Sequence, residues 1–319
     1  MRLVYYGTPA VAVPPLARLV ADGRSPLLVV TRADRPRGRG LHTGKSAVRE
    51  AAESMGLPVA TPARAGAPEE IERVRALEPD LLVVVAYGQI LPRALLDAPH
   101  IGALNIHFSL LPRHRGASPV QAALLAGDRE TGVSAMWMTE GLDEGPVLET
   151  IAVPIQPGEN AGDLGARLAD LGADCLARAL DRVERGGRDG LTQDSSRATY
   201  APKIPGDAGR LDLKGEADDF VRRVRAYTPD PGSFLDTPSG RLVVLEAAAD
   251  PDEPVATPVP PGSVIEVDRT RGIRIALGRG SVWIARLKPG GRRAMSGHEY
   301  ANGARLARGS QLAIPAAAR

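Results

Sequence analysis

The sequence predicts an α/β domain on a doubly wound, mostly parallel sheet, followed by a smaller all-β domain. Three observations predict it. Short apolar runs alternate with helix-period stretches up to about residue 187; beyond that the pattern turns to period two; and 319 residues are enough for two cores. On this reading the first domain spans 1–188, a linker 189–207, the second domain 208–313 and a tail 314–319.

Leu3–Tyr6 opens the first domain as a buried strand that breaks at Gly7-Thr8-Pro9. Thr8 is placed to cap a helix, Pro9 suits its first turn, and Val13, Leu16, Leu19 and Val20 follow at helical spacing. Leu27–Thr31 is the next strand, with a basic loop directly after it. Ala47–Met55 and Ala67–Leu77 read as helices, and Leu81–Val85 as the strongest buried strand. Ala103–His107 and Val133–Met138 are two further strands. Asn160 opens a long helix with Leu164, Leu168, Leu171, Cys175, Ala179 and Val183 on one stripe, stopped at Gly186-Gly187. The polar, aperiodic stretch after it marks the linker. Ala217, Phe220, Val221 and Val224 then form one amphipathic helix. Arg241–Glu246, Ser263–Val267, Gly272–Leu277 and Ser281–Leu287 are short strands of a small barrel or sandwich. The five prolines of Asp250–Pro261 mark a surface loop.

Composition narrows the function classes. The single cysteine, Cys175, excludes an intramolecular disulfide and a cysteine-based zinc cluster. No window reaches the ~20 apolar residues of a membrane span, so a soluble, cytoplasmic protein is expected. The net charge of +2 hides an asymmetry: residues 269–319 carry eleven basic groups against Glu299, and Arg32–Arg49 carries six against Asp34. Such patches suit a polyanionic partner. They equally suit solvated arginine-rich faces, which charge alone favours, because 36 of the 40 basic residues are arginine.

Gly7-Thr8-Pro9 lacks the three-glycine dinucleotide fingerprint, and there is no phosphate loop, His-Glu-x-x-His or nucleophile elbow. What remains is the run Asn105 to Pro112. Residues 105 and 107 point to one side of a strand, so an amide and an imidazole sit together at its C-terminal end, where doubly wound sheets bind ligands. That pair suits addition to a carbonyl: the amide steadies an oxyanion and the imidazole shuttles a proton. Asp143, in the loop after Val133–Met138, could orient the imidazole or take up the proton through water. Asn and His at a strand end are also common structural hydrogen bonders, and an Asp near a Gly a common turn former.

The motifs carry a resemblance. Asn105-Ile106-His107-x-Ser109-Leu110-Leu111-Pro112-Arg113-x-Arg115-Gly116-Ala117-x-Pro119 with Leu142-Asp143-x-Gly145 resembles the folate-dependent formyltransferases. Gly7-Thr8-Pro9, Asp34-Arg35-Pro36-x-Gly38-Arg39-Gly40, Val84–Pro92, Gly127–Val133, Thr199-Tyr200-Ala201 and Lys288-Pro289-x-Gly291-x-x-x-Met295-Ser296 narrow it to the branch that acts on methionyl-tRNA. The resemblance implies a Rossmann-like catalytic domain and an OB-like β-barrel that would hold the tRNA body. It implies catalytic roles for Asn105, His107 and Asp143. It also implies a folate site lined by Ser109, Leu110, Leu111 and Pro112, with Tyr87, Gly88, Gln89, Ile90 and Leu91 around the pteridine. Arg35, Arg37, Arg39 and Lys45 would meet tRNA. The implied reaction carries the formyl group of 10-formyltetrahydrofolate, a co-substrate, to the amine of initiator methionyl-tRNA. No metal, tightly bound cofactor or membrane is implied, and the protein is expected to be a monomer. Ala33 stands where the family often has proline, and Tyr227-Thr228-Pro229-Asp230-Pro231 replaces an aromatic-rich turn. The rival readings are a formyltransferase for a small amine such as an amino sugar or a ribonucleotide, a hydrolase of the formyl donor, and a non-catalytic tRNA-binding protein.

Overall fold

The computed structural model of the chain describes residues 1–37, 42–250 and 259–313, and its internal contacts resolve into two compact units. The first holds Met1–Pro119, Arg129–Ile155 and Leu164–Pro202; the second holds Val120–Asp128, Gln156–Asp163 and the chain from Lys203. Residues 189–202, read from composition as linker, therefore pack with the first unit.

In the first unit β1 (Leu3–Gly7) is buried at every position and runs into a 3-10 turn at Ala10–Ala12 and then α1 (Val13–Ala21). Thr8 caps neither; its hydroxyl donates to the Tyr87 carbonyl at 2.8 Å and ties two neighbouring loops. After β2 (Leu28–Val30) the basic stretch is a hairpin, β3 (Arg35–Arg37) paired antiparallel with β4 (His42–Gly44), rather than a plain loop. Ser46 caps α2 (Ala47–Ser54) by accepting from the Arg49 amide. There follow β5 (Val59–Ala60), α3 (Pro68–Ala76), β6 (Leu81–Val85), α4 (Arg93–Leu96), β7 (Gly102–His107) and β8 (Arg115–Gly116). Next come α5 (Pro119–Ala126), whose residues from Val120 fall in the second unit, and β9 (Glu130–Trp137). β10 (Val147–Pro154), α6 (Ala161–Glu184) and β11 (Tyr200–Ala201) complete the series.

The sheet order is β10-β9-β7-β6-β1-β2-β5. From β5 to β7 all pairs are parallel; β9 and β10 join antiparallel. The Val133–Met138 stretch thus lies in the sheet but reversed, a direction that apolar periodicity does not encode. Leu3, Leu81, Val83 and Leu104 are fully buried, as expected of strands covered on both faces. On α6, Leu164, Leu168, Cys175, Ala179 and Val183 are buried, and Leu171 is half-buried. Burial pushes the Cys175 thiol up to about 12, so it packs as an apolar group.

The second unit contains α7 (Ala217–Tyr227), β12 (Ser233–Thr237), β13 (Gly240–Ala249), β14 (Val264–Asp268), β15 (Gly272–Ala276), β16 (Ser281–Pro289), β17 (Met295–Ser296) and α8 (Gly297–Gly303). The sheet is antiparallel throughout, ordered β12-β13-β16-β15-β14 with β17 against β16. Register shifts at Val244–Ala247 and Val264–Glu266 are the bulges by which a strand bends. Phe220 and Val224 of α7 share a core with Val244, Ile273, Ile275 and Ile284. Ser296 and Glu299 close a reciprocal capping box on α8. Most of the loop expected at Asp250–Pro261, and the tail 314–319, lie outside the described residues.

Candidate active site

β7 carries two of the residues singled out from the sequence, Asn105 and His107. It lies between parallel β6 and antiparallel β9, with Asn105 opposite Val84 and Met136, and His107 opposite Ser134. Alternation along the strand puts residues 105 and 107 on one side at its C-terminal end, and both are buried. The loop after β9 brings Asp143 to them. Its Oδ1 is 3.5 Å from Asn105 Nδ2 and its Oδ2 is 3.6 Å from His107 Nδ1. The same Oδ2 accepts from the Gly116 amide at 2.7 Å. The three residues singled out from the sequence therefore converge.

The imidazole's orientation follows from its other nitrogen. His107 Nε2 lies 2.9 Å from the His114 carbonyl. A carbonyl only accepts, so Nε2 carries a hydrogen, and in neutral imidazole Nδ1 is then the bare nitrogen. That bare Nδ1 faces the Asp143 carboxylate. His114 presents that carbonyl from a left-handed backbone (φ 59°), fixed by its amide donating to Thr199 Oγ1 at 2.9 Å.

Two glycines are required by this packing. A Cβ on Gly145 would stand 1.8 Å from the Trp137 carbonyl, and one on Gly116 would stand 2.5 Å from the Ala201 carbonyl. Both positions need a residue without a side chain.

The stretch expected to bind folate leaves β7 directly. Ser109 is buried, its hydroxyl donating to the Arg113 carbonyl at 2.6 Å, while Ser134 Oγ donates to the Ser109 carbonyl and accepts from the Leu111 amide. Leu110, Leu111 and Pro112 are half-buried beyond it. Tyr87–Leu91 leaves the adjacent β6, so it shares the same edge of the sheet. Gly88 adopts φ 81°, Gln89 accepts from the Ala65 amide at 2.9 Å, Leu91 is buried and Ile90 is exposed. Tyr87 meets Tyr6 edge to face at 5.1 Å; burial pushes its hydroxyl up to about 12. The basic hairpin leaves β2 on that same edge. Arg35 and Arg37 lie on β3, Lys45 pairs with Glu53 at 2.5 Å, and Arg39 lies outside the described residues. Asp34 and Arg49 pair at 2.7 Å at the hairpin's base. Among the described residues no group of three or more His, Cys, Asp or Glu side chains is gathered closely enough to hold a metal ion, and no helix is long and apolar enough to cross a membrane.

Sequence reasoning missed Arg115, Thr199 and Gln193. Gln193 Nε2 donates to the carbonyls of Asp143 (2.9 Å) and Gly145 (2.7 Å), and its Oε1 accepts from buried Arg115 at 2.8 and 3.1 Å. Gln193 sits in a polar stretch without periodicity, about fifty residues from Asp143, and nothing local marks it. Thr199 and Arg115 lie inside the quoted motifs, but their partners are visible only in the fold.

The chain resembles known proteins along nearly its whole length. Residues 10–180 match the formyl transferase family model, and 203–305 match the model of the formyl transferase C-terminal domain. A methionyl-tRNA formyltransferase from Halorhodospira halophila is 47% identical over 314 residues, covering 98% of this chain and 99% of that one. Another, from Methylococcus capsulatus, is 45% identical, covering 96% and 98%. Among solved structures, HypX from Aquifex aeolicus in complex with tetrahydrofolic acid aligns with a TM-score of 0.63 at 16% identity. That alignment covers 94% of this chain and 47% of the longer HypX chain, a likeness of fold.

Proposed function

The chain belongs to the formyl transferase family, among the methionyl-tRNA formyltransferases, and on that premise we propose that it carries the formyl group of 10-formyltetrahydrofolate to the free α-amino group of methionine esterified to initiator tRNA. The observation that supports the chemistry is the convergence of Asn105, His107 and Asp143 at the C-terminal end of β7.

The amine attacks the formyl carbon, a tetrahedral oxyanion forms, and the bond from carbon to N10 breaks. The amine loses one proton and N10 gains one, so the step balances without an external acid. The attacking amine must be neutral; its reference pKa of ~8 leaves a useful fraction so at physiological pH. Asn105 steadies the oxyanion with an N–H, and His107, once it has taken up the amine's proton, adds its positive charge. One N–H of Asn105 faces Asp143, which leaves the other for the substrate oxygen. His107 receives the travelling proton on Nδ1, beside Asp143, while its Nε2 stays on the His114 carbonyl. Ser109–Pro112 and Tyr87–Leu91 hold the folate, and Arg35, Arg37, Arg39 and Lys45 meet the tRNA phosphates. The protein then works in the cytoplasm, where aminoacylated tRNA is made.

The test mixes the purified protein with 10-formyltetrahydrofolate and either methionyl-initiator tRNA or free methionine. Formyl groups should appear on the esterified methionine and not on the free amino acid. Donor consumption without formylated tRNA would overturn the acceptor assignment and leave hydrolysis or a small-amine acceptor.

A further inference from the structure

We infer that Gln193 is a positioning residue: its side-chain amide, locked by Arg115, holds the Asp143 loop in the conformation that presents the carboxylate to His107 and Asn105. This rests on the catalytic role given to Asp143 above.

Asp143 stands in the left-handed region, φ 50°, which an aspartate adopts at some cost and keeps only where its surroundings impose it. The carboxylate is fixed by the Gly116 amide, but the loop's own backbone needs partners too. Two of its carbonyls, those of Asp143 and Gly145, turn to the same point, and Gln193 Nε2 donates to both. One side-chain amide has two N–H groups, so both donors are used.

The orientation of that amide is chemically forced. Arg115 is 3% exposed, and its Nε and Nη2 both reach Gln193 Oε1. A guanidinium only donates, so the oxygen must face it and the nitrogen must face the loop. Arg115 also lies on β8 next to Gly116, whose amide holds the Asp143 carboxylate. A single bridge, Arg115 to Gln193 to the 143–145 backbone, therefore braces the loop from the strand that already grips its side chain.

A misplacement on the scale of an ångström at a reacting group costs up to roughly 100-fold in rate. Two variants test the bridge. Gln193→Glu keeps an oxygen for Arg115 but removes both donors; Gln193→Leu removes the bridge altogether. Steady-state formylation is measured beside amide hydrogen exchange of the peptide spanning 138–146. Both variants should lower kcat roughly 10- to 100-fold with KM for the folate within about twofold. Exchange should quicken over 141–146 while the β7 and β9 peptides stay protected. Unchanged kcat with unchanged exchange in Gln193→Glu overturns the inference. So does exchange that quickens over 189–202 alone, with KM rising and kcat kept, because Gln193 then merely docks its own segment. Where Gln193→Leu does not fold, the glutamate variant decides. Where the wild-type protein forms no formylated tRNA, the acceptor reading fails, and exchange over 141–146 alone decides the role of Gln193.

Discussion

Two carboxylates of the first unit are kept in opposite ways. Asp143 accepts from the Gly116 and Asn105 amides and lies beside the His107 ring. Glu70, at the start of α3, is 1% exposed; one oxygen pairs with Arg73 at 3.0 Å and the other has no partner. Burial holds its carboxyl above the usual carboxylate range, with Arg73 opposing and Glu69 adding. The sign follows from linkage. A carboxyl whose pKa is higher folded than unfolded destabilises the fold at neutral pH, and the penalty fades as pH falls through the folded pKa and vanishes below the unfolded one. Arg73 is half exposed, so the ion pair removed by substitution contributes little. Glu70→Gln should therefore melt higher than the wild type at pH 7.5, with the difference closing near about pH 4. A lower melting temperature at pH 7.5 would show that the charged form is stabilising.

At the scale of elements, β7 carries the proposed site on a strand buried in the sheet. Leu104 is fully buried one position before Asn105, on the opposite face of the strand. Leu104→Ala should cost about 2–5 kcal/mol, the transfer term plus an unfilled cavity, read as a lower urea midpoint. Strands β1, β6 and β7 were legible because a short run that is apolar on both faces fits a strand covered on both sides. The trio was legible because strand alternation and chain order place it. The reversal of β9 was not, since a buried run reads alike in both directions. The β3–β4 hairpin was hidden by its own charge, which reads as solvated loop. Thr8 looked like a helix cap because cap chemistry is local, whereas its actual acceptor, the Tyr87 carbonyl, is seventy-nine residues away. Gln193 was illegible for the same reason: its worth lies wholly in long-range partners.

At the scale of the molecule, the chain's small net charge matters less than where charges are exposed. In the second unit Lys288, Arg292 and Arg293 are exposed along and just after β16. Binding of a polyanion through such groups releases counterions, so log Kd for tRNA should climb linearly with log salt. The triple change Lys288→Glu, Arg292→Glu, Arg293→Glu should weaken tRNA binding and flatten that slope by roughly one for each phosphate no longer neutralised, with KM for the folate unchanged. A salt response that is flat in the wild type, or identical in the variant, would assign tRNA binding to another surface. The central claim, that the β7 trio performs the transfer, is tested most directly by single-turnover formylation of methionyl-tRNA by Asn105→Ala and His107→Ala, beside folate Kd. The transfer rate should fall by ~10²–10³ with Kd within about twofold, as when an oxyanion donor (Asn105) or a proton-accepting base (His107) is removed. Near-normal turnover in either variant would contradict the assignment.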